Sequence, residues 1–272
     1  MKIKDHFLTQ EEFEIRDTDI PGIKKTWPVP SQLNRYYQSE KYISHHQDSG
    51  SLKERIYKFV QSFNLNYKRN IVAALSFKNA SVLDYGCGAG EFLKTIEEDF
   101  ITYGYEPSEV ASEAAKKKLK KTHIVTDLDD LPDSSLNVIS LWHVLEHIEN
   151  QEDILNKFYN KLKPKGLLIL ALPNYKSFDA QYYKSYWAAY DVPRHLFHFS
   201  KTGIESKFNS NRWNLKQIKP LLLDSIYISI LSEKYKKNPF SILSGGLIGV
   251  ISNFKALKTN DYSSLIYIIE KK

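Results

Sequence analysis

Between residues 82 and 93 the chain reads Val82-Leu-Asp84-Tyr-Gly86-Cys-Gly88-Ala-Gly90-Glu-Phe-Leu93, a short apolar run, three alternate glycines and the start of a helical pattern. Glycines at a strand-to-helix turn accept positive φ and let backbone approach a ligand closely. A dinucleotide-binding turn would space its glycines GxGxxG and rest a diphosphate on the helix N-terminus. Here the spacing is GxGxG, and Asp84 stands two residues before the first glycine. A carboxylate there is poorly placed for a diphosphate and suits an ammonium or sulfonium group.

The surrounding pattern repeats the strand–helix unit. Apolar runs at Ser81–Asp84, Ile101–Glu106, Thr122–Thr126, Leu136–Trp142 and Leu167–Leu172 alternate with helical segments at 91–97, about 108–120 and after Asn150. Asn150 with Asp153 is placed to cap the last of these, and Pro164-Lys-Gly166 to stop it. Continuous apolar strands separated by single helices imply a parallel sheet covered on both faces. A further strand near Asn214–Leu222, helices over 225–258 and a closing strand at Ser264–Ile269 complete the pattern. The fold class is therefore α/β, a doubly wound Rossmann-like sheet. Residues 1–79 form an N-terminal helical or irregular cap, 80–272 the main domain, and 225–258 a helical insertion. Within the cap, residues 1–50 read as irregular, with tyrosine and histidine dense in Asn34–His46; helices are expected from Ser51 and over Lys68–Leu75.

Glu106 ends the second strand 18 residues beyond Gly88, where a carboxylate can accept hydrogen bonds from both hydroxyls of a ribose. Asp127 ends the third. Together these residues resemble the class I S-adenosylmethionine-dependent methyltransferases, and among them the methyltransferase-23 type of domain. Asp84-Tyr-Gly-Cys-Gly-Ala-Gly90 matches the first motif, Asp127-Leu128 the segment flanking the adenine, and Ser140–His147 the stretch after the fourth strand. Leu162–Leu168 matches the entry to the fifth strand, and Asp191-Val-Pro-Arg-His-Leu-Phe-His-Phe199 follows it.

The resemblance implies a seven-stranded, mostly parallel sheet of order 3-2-1-4-5-7-6 with an antiparallel seventh strand. It implies S-adenosyl-L-methionine as cofactor, bound by Asp84, Gly86, Cys87, Gly88, Gly90, Glu106, Pro107, Asp127, Leu128, Trp142 and His143. The expected reaction is methylation of oxygen or nitrogen on a small-molecule or glycan- or lipid-linked acceptor. The alternatives are RNA or protein as acceptor, or a non-catalytic cofactor-binding relative.

His143, Arg194 and His195 are the candidates for the acceptor side. An arginine fork suits an anionic substrate group, and a histidine can act as base near neutral pH. Asp191 and Arg194 could equally pair to hold a lid. Glu146-His147 resembles part of the Glu-x-x-Glu-His segment of ubiquinone-pathway O-methyltransferases, but His143 replaces the first glutamate, so no metal is expected. The aromatic residues between Tyr175 and Tyr190 could line a pocket or simply pack.

Composition narrows the class. One cysteine, Cys87, leaves no internal disulfide or cysteine zinc site. A net charge of +6 over 272 residues gives no strong nucleic-acid signal. No signal core or bilayer-length apolar stretch appears, so a cytoplasmic enzyme is expected.

Overall fold

A computed structural model describes residues 1–37, 52–208 and 211–272. The Asn34–His46 stretch is thus described only as far as Tyr37. The main sheet has strands β4 (Ser81–Tyr85), β5 (Ile101–Tyr105), β6 (His123–Val125), β7 (Leu136–Trp142), β8 (Leu162–Pro173), β10 (Trp213–Pro220) and β11 (Ser264–Lys271). Its spatial order is β6-β5-β4-β7-β8-β11-β10, which counted from β4 is 3-2-1-4-5-7-6. The β4, β5, β6, β7 and β8 pairings are parallel, and β11 runs antiparallel to both β8 and β10.

Neighbouring residues on each central strand enter opposite cores. Leu83, Ile139, Leu168 and Tyr267 pack on one face with Leu155 and Phe158 of the helix Gln151–Lys161. Val82, Val138, Ile169 and Ile268 pack on the other with Ile71, Phe92, Leu93 and Ala115. Period-two alternation with apolar residues on both faces is why these strands read as unbroken apolar runs.

The helices are α1 (Leu52–Leu75), α2 (Glu91–Ile96), α3 (Glu109–Lys118), α4 (Gln151–Lys161), α5 (Phe178–Tyr183), α6 (Lys201–Phe208), α7 (Leu222–Tyr235) and α8 (Ser241–Thr259). Asn150 does cap α4, its side-chain oxygen accepting from Asp153 N at 3.3 Å. Helix α1 is one helix where two are expected. The Pro164-Lys-Gly166 stop lies inside β8, where pairing with β7 jumps from Leu162 to Leu167 around a bulge. The 225–258 helical stretch is a hairpin of two helices, α7 and α8.

The irregular reading of residues 1–50 needs the larger correction. Strands β1 (Lys2–Lys4), β2 (Glu12–Asp17) and β3 (Ile23–Trp27) form an antiparallel sheet, and β3 pairs with β9 (Phe197–Phe199), beyond the main strand β8. Ile3, Phe13 and Ile15 from this sheet share a core with Tyr175, Tyr183, Trp187 and Tyr190. Most of the aromatic stretch therefore packs; Tyr182 and Tyr186 are its exposed members. Trp187 Nε1 donates to the buried Asp179 carboxylate at 2.7 Å, which also accepts from Ser252 and Ser263 at 2.7 and 2.6 Å. That network pins the α7–α8 hairpin to the post-β8 segment.

Candidate active site at the carboxyl edge of the sheet

The glycine turn leaves β4 at the carboxyl edge, where open α/β sheets bind ligands. Gly86, Gly88 and Gly90 all have positive φ, at 78°, 54° and 78°. Their reasons differ. A Cβ on Gly86 would lie 2.6 Å from the Val144 side chain, whereas one on Gly88 would meet nothing within 4 Å. Gly88 thus leaves a backbone cradle open to the edge. Its N–H donates to Glu106 Oε2 at 2.8 Å, and Ser108 N donates to Oε1 at 2.9 Å. The Glu106 carboxylate at the end of β5 is oriented by backbone and keeps further lone pairs for a ligand.

Asp84 is buried beneath this turn and accepts the Ser140 hydroxyl at 2.7 Å. Burial pushes its carboxyl up to about 7, against the Ser140 hydrogen bond and the charge of Lys68 on α1. Burial in turn pulls Lys68 down. A buried carboxylate this poorly compensated is a place for a cationic ligand group. The same burial raises the Cys87 thiol to about 12, which removes it as a nucleophile.

Pro107 is exposed beside Glu106. At the end of β6, Asp127 is exposed and its Oδ1 accepts from Asp129 N at 3.0 Å, capping the turn Leu128–Asp130. The Leu128 side chain is in the core, so it offers only backbone to a ligand. Trp142 ends β7 edge-on to Phe92, with Lys68 Nζ 4.7 Å from its ring centroid.

His143 follows in the left-handed region, φ 59°, its N–H donating to Ala171 O at 3.0 Å. Its Nε2 is 3.0 Å from Asp224 Oδ2, and its Nδ1 is 3.5 Å from Glu146 Oε1. Burial lowers its basicity, but the Asp224 and Glu146 carboxylates outweigh it and raise the imidazole to about 9. Asp224, at the start of α7, is absent from the sequence expectations. Its signal is a lone acid in the apolar run Leu221-Leu-Leu-Asp-Ser-Ile226.

Behind His143, Glu146, His147 and His195 converge, one donor atom from each lying within 4.8 Å of the others. His147 Nδ1 is 2.9 Å from Arg194 O and 3.1 Å from Tyr37 Oη, and His195 Nδ1 is 2.9 Å from Ala189 O. With Nδ1 donating to carbonyl oxygen, each Nε2 carries a lone pair. Both Glu146 oxygens are buried and, among the described residues, have no hydrogen-bond partner. These donor types and this spacing could accept a divalent cation. Burial lowers His147 to about 4 and keeps it neutral.

Arg194 stands apart from its expected role. It is 1% exposed. Its Nε donates to both Asp191 oxygens at 3.0 Å, and its Nη2 to Asp191 at 2.6 Å and Asp5 at 2.9 Å. Asp5 is itself buried and accepts from Phe7, Leu8 and Thr9 backbone N–H groups. A guanidinium so enclosed has no face for an acceptor anion; it pairs with Asp191, as the alternative reading expects, and with Asp5. His198, buried 2.9 Å from Thr26 Oγ1, is likewise packed away.

Known proteins agree with this architecture. One protein family, described as a methyltransferase domain, matches residues 57–216. A ubiquinone biosynthesis O-methyltransferase of Bradyrhizobium diazoefficiens is 29% identical over 123 residues, 41% of this chain and 48% of that protein. A carboxy-S-adenosyl-L-methionine synthase of Campylobacter jejuni is 28% identical over 118 residues, 40% of this chain and 50% of that one. The match thus spans about half the length of these curated relatives. Phosphoethanolamine N-methyltransferase 2 of Haemonchus contortus, solved with phosphomonomethylethanolamine and S-adenosylhomocysteine, shares the fold. Its TM-score is 0.56 at 14% identity, covering 92% of this chain and 62% of that one.

Proposed function

The chain belongs to the methyltransferase-domain family, and on that premise we propose that it moves a methyl group from S-adenosyl-L-methionine to oxygen or nitrogen of a small-molecule or glycan- or lipid-linked acceptor. The observation that carries this reading is Asp84, a buried, under-compensated carboxylate beneath a glycine turn whose Gly88 Cβ position is open. A cationic ligand with a ribose fits that site, and a diphosphate does not.

Asp84, the 86–90 turn, Glu106, Pro107, Asp127, the Leu128 backbone, Trp142 and His143 form the cofactor side. Bound there, S-adenosyl-L-methionine supplies an electrophilic methyl group already activated by its sulfonium. The chain must then align a nucleophile, exclude water and receive a proton where the acceptor carries one. His143 is a poor base at neutral pH, because its two carboxylate neighbours keep it protonated to about 9. Its charge lies between the Asp224 and Glu146 carboxylates. His195, largely buried beside His147, is the candidate base: with its Nδ1 donating to Ala189 O at 2.9 Å, its Nε2 carries the lone pair.

Calorimetric titration with S-adenosylhomocysteine tests the cofactor, and absence of binding to folded protein overturns it. Methyl-labelled cofactor incubated with small-molecule, lipid and glycan fractions should label one of them. Label confined to RNA or protein would overturn the acceptor class.

A further inference from the structure

Helix α8 has one face fixed by packing and an opposite face that is apolar until Lys258 in its last turn. Gly245, Gly249, Ser252 and Ala256 are its buried residues. A Cβ on Gly245 would lie 2.5 Å from Ile230 Cα, and one on Gly249 2.5 Å from Ile226 Cα, so these glycines seat α8 directly on the backbone of α7. With that contact set, the helical period turns Leu243, Leu247, Val250, Phe254 and Leu257 outward. They are 75, 62, 40, 67 and 66% exposed. A surface helix ordinarily puts polar side chains there, and a continuous exposed apolar stripe marks a contact surface.

We propose that this face rests in the interfacial region of an anionic lipid bilayer. Charge selects that occupant. From residue 236 to residue 260 the charged side chains are Lys236, Lys237, Lys255 and Lys258; Lys236 pairs with Glu233 at 3.8 Å and Lys255 Nζ stands 3.8 Å over the Phe178 ring, and Asp261 follows the helix. Lys237 precedes the stripe, and Lys255 and Lys258 stand in its last turn. A second copy laid on the stripe, parallel or antiparallel, would set these lysines against one another, and no acid lies within the stripe itself to offset them. Anionic headgroups complement the same arrangement. Among the described residues no helix is long and apolar enough to cross a membrane, so α8 would lie along the surface, its inner face still docked on α7. Asp224, on the same hairpin, bonds His143, so a seated α8 would bring the carboxyl edge near the lipid. The inference rests on α8 alone and stands whether or not methyl transfer is the reaction.

Flotation of the full chain with vesicles tests it. The chain should float with vesicles of phosphatidylglycerol and phosphatidylcholine in equal parts. Binding should fall roughly tenfold or more with phosphatidylcholine alone or at high salt. Leu247→Ser combined with Phe254→Ser should abolish it while far-ultraviolet circular dichroism and Tm stay at the parent values, since both side chains are exposed. Lys237→Glu with Lys258→Glu should remove the preference for anionic vesicles. A chain that never floats with phosphatidylglycerol vesicles overturns the proposal, as does flotation indifferent to the serine pair. So does a dimer, seen by analytical ultracentrifugation, that the serine pair dissociates, because that assigns the face to a second copy.

Discussion

Arg194 Nη2 and Asp5 Oδ1 meet at 2.9 Å, joining residues 189 positions apart in a pair closed to solvent. With Asp191 as second partner, the pair bolts the N-terminal sheet to the segment that carries His195. Removing one partner of a buried pair leaves an uncompensated charge, which costs about 3–5 kcal/mol. Arg194→Met and Asp5→Ala should each lower unfolding stability by that order in denaturant titrations. An arginine that served only to bind an acceptor would instead raise KM and leave stability alone.

The role proposed for Asp84 predicts that cofactor affinity depends on pH. Its folded carboxyl titrates near 7, above its ordinary value of 3.8. The folded state therefore holds this proton longer than the unfolded one, and unliganded stability falls as pH rises from about 4 to about 7. A cationic ligand favours the ionised form, so binding releases the proton. Affinity for S-adenosylhomocysteine, whose amino group is cationic, should rise up to about tenfold per pH unit below pH 7 and level off above it. Calorimetry in buffers of different ionisation enthalpy reads the proton directly. Asp84→Asn should bind weakly at every pH, with the slope gone.

Gly86 and Gly88 separate folding from binding. Alanine at either enters a left-handed backbone at about 1–2 kcal/mol. At Gly86 the added Cβ also collides with Val144, so Gly86→Ala should be the less stable protein. At Gly88 the Cβ meets nothing among the described residues within 4 Å and, at the proposed cofactor site, would project toward the ligand. Gly88→Ala should keep most of its stability yet lose about 1.4 kcal/mol or more of cofactor affinity, a factor of about ten. Tm and calorimetry on the two variants compare the effects.

The contrast between these residues shows what a sequence can disclose. The glycine turn, Asp84 and Glu106 are local patterns at strand ends, and the apolar runs of β4, β7 and β8 are legible because both faces are buried. Strands β1 to β3 are only three to six residues long and lie among Pro21-Gly22, Pro28 and Pro30, so this region reads as irregular. The Asp191 partner of Arg194 is legible three residues away, but its second partner Asp5 is not, because it lies at the far end of the chain. Asp224 looks like an ordinary helix-start acid until β10 returns it to the carboxyl edge. Long-range closure, not local propensity, decides which charged groups meet.

Asp224 offers the sharpest check on that closure. Its Oδ2 lies 3.0 Å from His143 Nε2 and is the stronger influence raising that imidazole, with Glu146 second. A histidine raised from 6.5 to about 9 contributes stability that is fully present below pH 6.5 and lost as pH climbs through 9. Asp224→Asn removes the nearer carboxylate. The variant should be less stable than the parent by about 1–2 kcal/mol at pH 6, the ring's partial exposure tempering the larger value the shift alone would give. By pH 10 the parent has lost the same contribution, so the two unfolding curves should nearly coincide. The His143 ring resonance in the variant should titrate well below 9. A gap between the curves that persists at pH 10 would mean that Asp224 acts through packing and not through the charge on His143.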